Sequence, residues 1–364
     1  MILPERTLLG PGPSNPYPEA TAGLAAPLLG HLDPAFLQIL SETCADLRTV
    51  FGTANIATLP LSGTGSAGME ASFVNFVGPG DVVVVAANGL FGERMIDVAT
   101  RCGADVVPVR APWGQPIDAD AVAAAHPRPK LVAAVHAETS TGVRNDIAAL
   151  VPAVRATSDA LVLADCVTSL GGIAVDLDEW GVDIAYSGTQ KCLGVAPGLA
   201  PFTASARALD RRIIKPQSWY LDIGMIGDYV TASGGGRTYH HTAPVAMIAS
   251  LHAALRRILA EGLPSVHARH AAAGAALQDG LRKLGLELFA ADGHRLPELT
   301  TVRVPDGVDS AAVRRELLER YGIEIGGGAG EFASSVWRIG IMGRNANLGA
   351  VTFVLGALRE ILGR

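Results

Sequence analysis

From residue 56 to about residue 205 the chain alternates short apolar runs with longer mixed stretches. The runs are I-A-T-L-P-L (56–61), V-V-V-V-A (82–86), V-V-P-V (106–109), L-V-A-A-V (131–135) and L-V-L-A (161–164). They are nearly continuous in hydrophobicity, as strands covered on both faces are, and each interval between them can hold a helix. The pattern predicts βα units around a mostly parallel sheet. Ahead of it, residues 34–51 place Phe36, Ile39, Leu40, Leu47 and Phe51 at helical spacing, with Gly52 as the stop. After it, P-V-A-M-I-A-S-L-H-A-A-L-R-R-I-L-A (244–260) reads as a long helix. The rhythm then changes. A helix end around G-L-R-K-L-G, a strand at 299–305, a helix at 309–322 capped by Asp309 or Ser310, a strand at 337–341 and a last helix predict an α+β second domain. Prolines 4, 11, 13, 16 and 18 exclude a helix over residues 1–20 and predict an extended arm lying across a surface. The organisation expected is an arm (1–20), a large domain (21–261) and a small domain (262–364), with no internal repeat.

Composition narrows the classes of function. The chain has 364 residues and a net charge of −6, without a basic run beyond pairs such as Arg211-Arg212, which speaks against nucleic acid as a partner. Glycine is abundant, at 42 residues, and aromatics make up 5%, which suits tight βα turns. No apolar stretch reaches membrane-spanning length, and the N-terminus lacks a basic region followed by an apolar run. The four cysteines, Cys44, Cys102, Cys166 and Cys192, form neither C-x-x-C pairs nor zinc-spaced clusters, so reduced thiols in a cytoplasmic protein are expected. The adjacent His240 and His241 are expected to point apart on an extended segment, and no metal is expected.

Three features carry candidate chemistry. S-G-T-G-S-A-G-M-E-A (62–71) follows a strand and opens a helix, a natural anion site. Gly63, Gly65 and Gly68 also match G-x-G-x-x-G, but V-V-V-V-A-A-N-G ends the next strand without the acid a dinucleotide ribose needs. A glycine turn used only for packing is the plain alternative. Asp165 directly follows a buried strand, where it either faces a ligand crevice or forms a turn. Lys191 is one of four lysines, against twenty-five arginines, and sits among small apolar residues. Such an amine is either a strand-end lysine reaching for water or a nucleophile able to form Schiff bases. An anion turn, an acid and a lysine in this order suit pyridoxal phosphate, which needs a site for its phosphate, its ring nitrogen and its aldehyde.

With these residues in view, the sequence resembles the class V aminotransferases, most closely the alanine–glyoxylate and serine–glyoxylate (or serine–pyruvate) group. The resemblance runs through G-P-G-P-S-N (10–15), G-H-L-D-P-A-F (30–36), L-S-G-T-G-S-A-G-M-E-A (61–71), N-G-L-F-G-E-R (88–94), H-A-E-T-S-T-G-V (136–143), D-C-V-T-S-L-G-G (165–172), D-E-W-G-V-D-I-A-Y-S-G-T-Q-K (178–191), Y-H-H-T-A-P-V (239–245) and W-R-I-G-I-M-G (337–343). It implies the α/β architecture of the pyridoxal-phosphate-dependent fold type I: a large domain with a mostly parallel seven-stranded sheet flanked by helices, and a smaller α+β C-terminal domain. It implies that Lys191 holds the cofactor as an aldimine and moves the proton, and that Asp165 bonds the ring nitrogen. Phe91 and Val167 would cover the two ring faces, and Thr139 would bond the ring hydroxyl. Gly65, Ser66, Ala67 and Gln190 would hold the phosphate together with Tyr239 and Thr242 of the other subunit, in a homodimer with shared sites. Arg338 would clamp the substrate carboxylate, with Gly12 beside the substrate. The residues alone favour a structural salt bridge in the small domain for Arg338, and the resemblance reverses that reading. Cys192 and Ala196 depart from the family's K-A-L-G-A-P-P-G.

The activity implied is transfer of an amino group from a small amino acid (alanine or serine) to a small 2-oxo acid (glyoxylate or pyruvate), in ping-pong fashion. One arginine clamp and no second arginine favour monocarboxylic substrates. A transaminase for a specialised amine such as an aminophosphonate is the alternative. Carbon–heteroatom lyases are a further one, although a desulfurase needs a mobile cysteine and none lies beyond residue 192. A nicotinamide dehydrogenase lacks its acid, and a non-catalytic binding protein leaves Lys191, Asp165 and Arg338 without a joint purpose.

Overall fold

The computed structural model describes residues 3–230 and 237–364. Its main sheet has seven strands: β1 (Ala57–Ser62), β2 (Val82–Ala87), β3 (Asp105–Arg110), β4 (Leu131–Val135), β5 (Leu161–Asp165), β6 (Ile184–Tyr186) and β7 (Leu199–Ala204). Across the sheet they run β1-β7-β6-β5-β4-β2-β3. Only β7 is antiparallel to its neighbours. All five predicted runs are strands. Every residue of β4, β5 and β6 is buried, as central strands with both faces covered require. The chain steps from β2 out to β3 and back to β4 on the other side, so the strand order reverses around β2. Beyond the carboxyl ends of strands at such a reversal, α/β folds leave a crevice.

The helices start and stop where local chemistry sets them. Asp33 accepts from Ala35 N (2.8 Å) to open Pro34–Phe51, and Gly52 closes it in the left-handed conformation. Asp309, not Ser310, caps Ser310–Tyr321. Val245–Glu261 and Leu263–Lys283 are separated by Gly262 alone. The first packs on the large core. The second gives Val266 to that core but Ala273, Leu277 and Leu281 to a second core, built around Trp337, Ile339 and Leu358. The second core backs a three-stranded antiparallel sheet in the order Leu299–Arg303, Val336–Gly340, Gly326–Gly327.

The first twenty residues correct the expectation of an arm across a surface. Thr7 and Leu8 pair in parallel with Ile323 and Glu324, and Leu9 is fully buried in the second core. Pro18 opens a helix (Pro18–Leu24) at its first turn, where a missing N–H does no harm. The histidine pair is a second correction. His240 Nδ1 and His241 Nδ1 meet at 2.7 Å, while the Nε2 atoms engage Trp219 O and Ser62 Oγ. All four ring nitrogens are therefore occupied in protein contacts. Among the described residues no helix is long and apolar enough to cross a membrane.

Candidate active site

The crevice holds a cavity lined by Gly65, Ser66, Phe91, Thr139, Asp165, Val167, Gln190 and Lys191. Eight residues expected to act together, spread over more than a hundred positions of sequence, thus share one wall. Each comes from a strand end or the turn after it: Gly65 and Ser66 after β1, Phe91 after β2, Thr139 after β4, Asp165 and Val167 at the end of β5, and Gln190 and Lys191 after β6.

Asp165 is 3% exposed. Its Oδ2 accepts from Tyr186 Oη at 2.6 Å and its Oδ1 from Val167 N at 2.8 Å. Tyr186 is its register partner on β6, so the phenol lies directly beside the carboxylate. Burial raises the Asp165 carboxyl to about 6, against the pull of these two hydrogen bonds. Lys191 is 8% exposed, and burial followed by the Arg338 charge lowers its amine to about 8. Its Nζ donates to Pro11 O. Ser14 braces the same segment, its Oγ donating to Lys191 O at 2.8 Å and its N to Gln190 O at 2.9 Å. Gly12 has a φ of +115°, and a Cβ there would fall 2.7 Å from Lys191 Cδ. Only glycine gives the arm this close an approach to the amine.

Several features fit a flat, anionic, aldehyde-bearing ligand. The helix Gly65–Val74 opens on Thr64, whose side chain caps nothing, so the first-turn N–H groups of Gly65 and Ser66 remain available to an anion. Ala67 differs: its N–H donates to Thr64 O at 2.7 Å, and it lies off the cavity wall. Among the described residues the Gln190 side chain makes no hydrogen bond, and its buried Oε1 has no partner. Gly65 must be small, because a Cβ there would meet Val167 Cγ2 at 2.9 Å. Phe91 and Val167 supply apolar surfaces for a ring.

Arg338, on the middle strand of the small sheet, donates from Nε to Gly327 O at 2.6 Å. Among the described residues it has no carboxylate within salt-bridge distance, so the structural ion pair is not what holds it there. Tyr239 (54% exposed) and Thr242 lie outside their own chain's cavity.

Three residues in the quoted motifs take parts that sequence reasoning did not assign. Tyr186 holds Asp165. Glu138 anchors the turn that carries Phe91, accepting from Phe91 N (3.1 Å) and Gly92 N (3.3 Å). Arg94 lines the cavity with its guanidinium 5.0 Å from the Phe91 ring centroid, which corrects the expectation of a single arginine. Among the described residues Arg94 has no ion pair or hydrogen bond. A signal existed for each: a phenol on an otherwise apolar buried strand, a carboxyl in a buried segment, and an arginine one helical turn past Phe91.

A mostly parallel seven-stranded sheet with an acid and a lysine at its carboxyl edge is the architecture of the fold type I pyridoxal-phosphate enzymes. The sequence model of "Aminotransferase class-V" matches residues 17–342. The alanine–glyoxylate aminotransferase of Drosophila melanogaster is 39% identical over 100% of this chain and 93% of its own. The (S)-ureidoglycine–glyoxylate transaminase of Bacillus subtilis is 37% identical, covering 100% and 92%. The crystal structure of an alanine–glyoxylate aminotransferase from Nostoc sp. superposes with a TM-score of 0.96 at 45% identity, over 100% of this chain and 96% of that one. The chain belongs to the class V aminotransferase family.

Proposed function

We propose that the protein is a pyridoxal 5′-phosphate-dependent transaminase. It carries the amino group of a small amino acid, alanine or serine, to a small 2-oxo acid, glyoxylate or pyruvate, in two ping-pong halves. The observation that carries this reading is one cavity wall bearing an amine lowered to about 8 and a carboxylate, with an arginine free of carboxylates whose charge reaches that amine. The names of the two relatives and of the Nostoc structure support glyoxylate as the acceptor.

When bound, the cofactor supplies an electron sink that makes the Cα–H of an amino acid acidic. The residues do the rest. Gly65, Ser66 and Gln190 would hold its phosphate, and Asp165 a cationic ring nitrogen beside which the carboxyl stays ionised. Arg338 fixes the substrate carboxylate and so turns Cα towards Lys191. Lys191, neutral in a sizeable fraction near pH 8, removes the Cα proton in one half-reaction and returns a proton to Cα in the other. Phe91 and Val167 keep water from the two faces. The exposure of Tyr239 and Thr242 suits a homodimer in which each reaches the second copy's phosphate site. The cytoplasm is the proposed compartment.

Arg94 favours a second reading, in which the amine carries another anionic group, as an aminophosphonate does. A half-reaction panel decides between them. Purified protein receives one amine at a time while the bound aldehyde's absorbance is followed. Fast loss with alanine or serine supports the first reading, and loss only with doubly anionic amines supports the second. A protein that carries no aldehyde chromophore at all sinks both.

A further inference from the structure

His240 and His241 take no part in the chemistry above, yet they join two segments that do. They sit between Tyr239 and Thr242, and His241 reaches Ser62, the last residue of β1 and the first of the anion turn. Three contacts run in line: Ser62 Oγ with His241 Nε2 at 3.0 Å, His241 Nδ1 with His240 Nδ1 at 2.7 Å, and His240 Nε2 with Trp219 O at 3.1 Å. One fixed end orders the protons in this chain. A backbone carbonyl only accepts, so His240 Nε2 carries a hydrogen and, in the neutral ring, His240 Nδ1 is the acceptor. His241 Nδ1 must then donate, His241 Nε2 must accept, and Ser62 Oγ must donate. One added proton fits: it enters at His241 Nε2, and the Ser62 hydroxyl rotates to accept. A second has only His240 Nδ1 left, where it would set N–H against N–H at 2.7 Å between two cationic rings.

We infer that the histidine pair is a proton-counting latch, which holds the segment bearing Tyr239 and Thr242 against the anion turn with at most one added proton and lets it go with two. The open form binds more protons than the closed one, so falling pH favours opening. The surroundings do not offset the second charge. Among the described residues His252 is the one histidine with a carboxylate within 4 Å. Trp219 stacks on His240 with ring centroids 4.3 Å apart, and the Tyr220 ring lies 4.8 Å from His241. Behind His241, a small cavity is walled by Leu40, Leu61, Tyr229 and Ile248, each from a different element. His31 faces Tyr239 instead, at 5.3 Å. The charged groups nearest along the chain are engaged elsewhere: Asp222 with Gly224 N and Arg212, and Arg237 with Tyr229 O, Val230 O and Ser41 Oγ. Burial, and then His240, hold His241 below the ordinary histidine value, which keeps the latch closed at neutral pH. In the proposed homodimer it ties one copy's phosphate turn to the segment that serves the other copy. The inference rests on the transaminase reading for what the latch serves, but its test does not.

The full chain, with ring-15N-labelled histidine, is read at pH 8 by long-range 15N–1H correlation. The His241 signal, found by its loss in His241→Gln, should carry its hydrogen on Nδ1. His270 is the internal standard for that tautomer, since its Nδ1 donates to Val266 O and its Nε2 accepts from Gly343 N at 3.0 Å. An Nε2–H tautomer at His241 overturns the proton order and the inference with it. Hydrogen exchange over residues 238–243, corrected for its intrinsic pH dependence, then follows the latch from pH 8 to pH 5. Exchange in the wild type should rise by up to about tenfold per pH unit once the second proton drives opening. His240→Gln should change by less than about twofold, because its amide still accepts from His241 and takes up no proton. Equal opening in acid by the two forms, or a flat wild-type profile, overturns the inference, and the wild-type profile needs no variant to fold. A chain that binds no pyridoxal phosphate would sink the transaminase reading and leave both results standing.

Discussion

The two sheets treat a buried glutamate in opposite ways. Just past the carboxyl end of the large sheet's β4, in a separate two-stranded pairing, Glu138 accepts four hydrogen bonds, whose donors oppose the rise that burial imposes on its carboxyl. At the start of the small sheet, Glu298 is equally buried, and neither of its oxygens has a partner among the described residues. Burial raises the Glu298 carboxyl to about 8. The contrast extends to the whole site. The large sheet delivers groups whose charge state matters to chemistry, and it surrounds them with donors and acceptors. The small sheet delivers Arg338, whose charge never changes, from a scaffold that stays neutral around Glu298. On the proposed mechanism, proton transfer thus falls to the large body and the clamp on the substrate carboxylate to the small one.

The strongest attack on that division is Lys191→Ala. It should lower kcat in the alanine half-reaction by roughly 10³- to 10⁴-fold with little change in substrate affinity, measured by stopped-flow absorbance. Glu298→Gln comes next and sharpens the contrast between the glutamates. The folded pKa of Glu298 lies above the ordinary 4.5, so its contribution to stability is complete below pH 4.5 and is lost as the pH rises towards about 8. The glutamine does not titrate. In urea unfolding at pH 5 and pH 8.5, the variant should gain about 2–4 kcal/mol on wild type between the two conditions. A difference that is the same at both would mean the acid has found a partner. Arg338→Ala should raise KM about 30-fold, near 2 kcal/mol, while kcat moves far less. A larger drop in kcat than rise in KM would break the division between bodies. The smallest effect belongs to Tyr186→Phe. Deleting one of two hydrogen bonds to Asp165 should reduce kcat severalfold, about 1 kcal/mol, and move the carboxyl upward from about 6.

Much of this was legible from residue patterns, for reasons that also explain the gaps. Four of the five strands announced themselves because both their faces are buried, and β3, an edge strand with no buried residue, showed itself through its valines. β6 escaped because three residues make no run. β7, L-A-P-F-T-A, escaped because it holds neither valine nor isoleucine, one of which marks each of the five readable runs. Its direction was out of reach, since hydrophobicity carries no sign along a strand. Asp165 and Lys191 were readable from their place after apolar runs. The closeness of Gly12 to Lys191 was not, because nothing in the spacing of either segment refers to the other. The histidine pair misled for a related reason: alternation applies to strands, and residues 239–241 lie in none.

The arm carries one further consequence, for the order in which the molecule is made. Arg6 donates to Leu318 O, 312 positions away, and Leu9 O receives the N–H of Gly340. The segment next to the one that braces Lys191 is therefore translated early and paired late. Residues 11–17 can meet Gln190, Lys191 and Gly194 midway through synthesis, but a ribosome must deliver nearly the whole chain before residues 6–9 meet Leu318, Ile323, Glu324 and Gly340. The anchoring of the arm's outer half is a closing step of synthesis, so a chain stalled short of residue 340 would hold Lys191 beside a segment fastened at one end only.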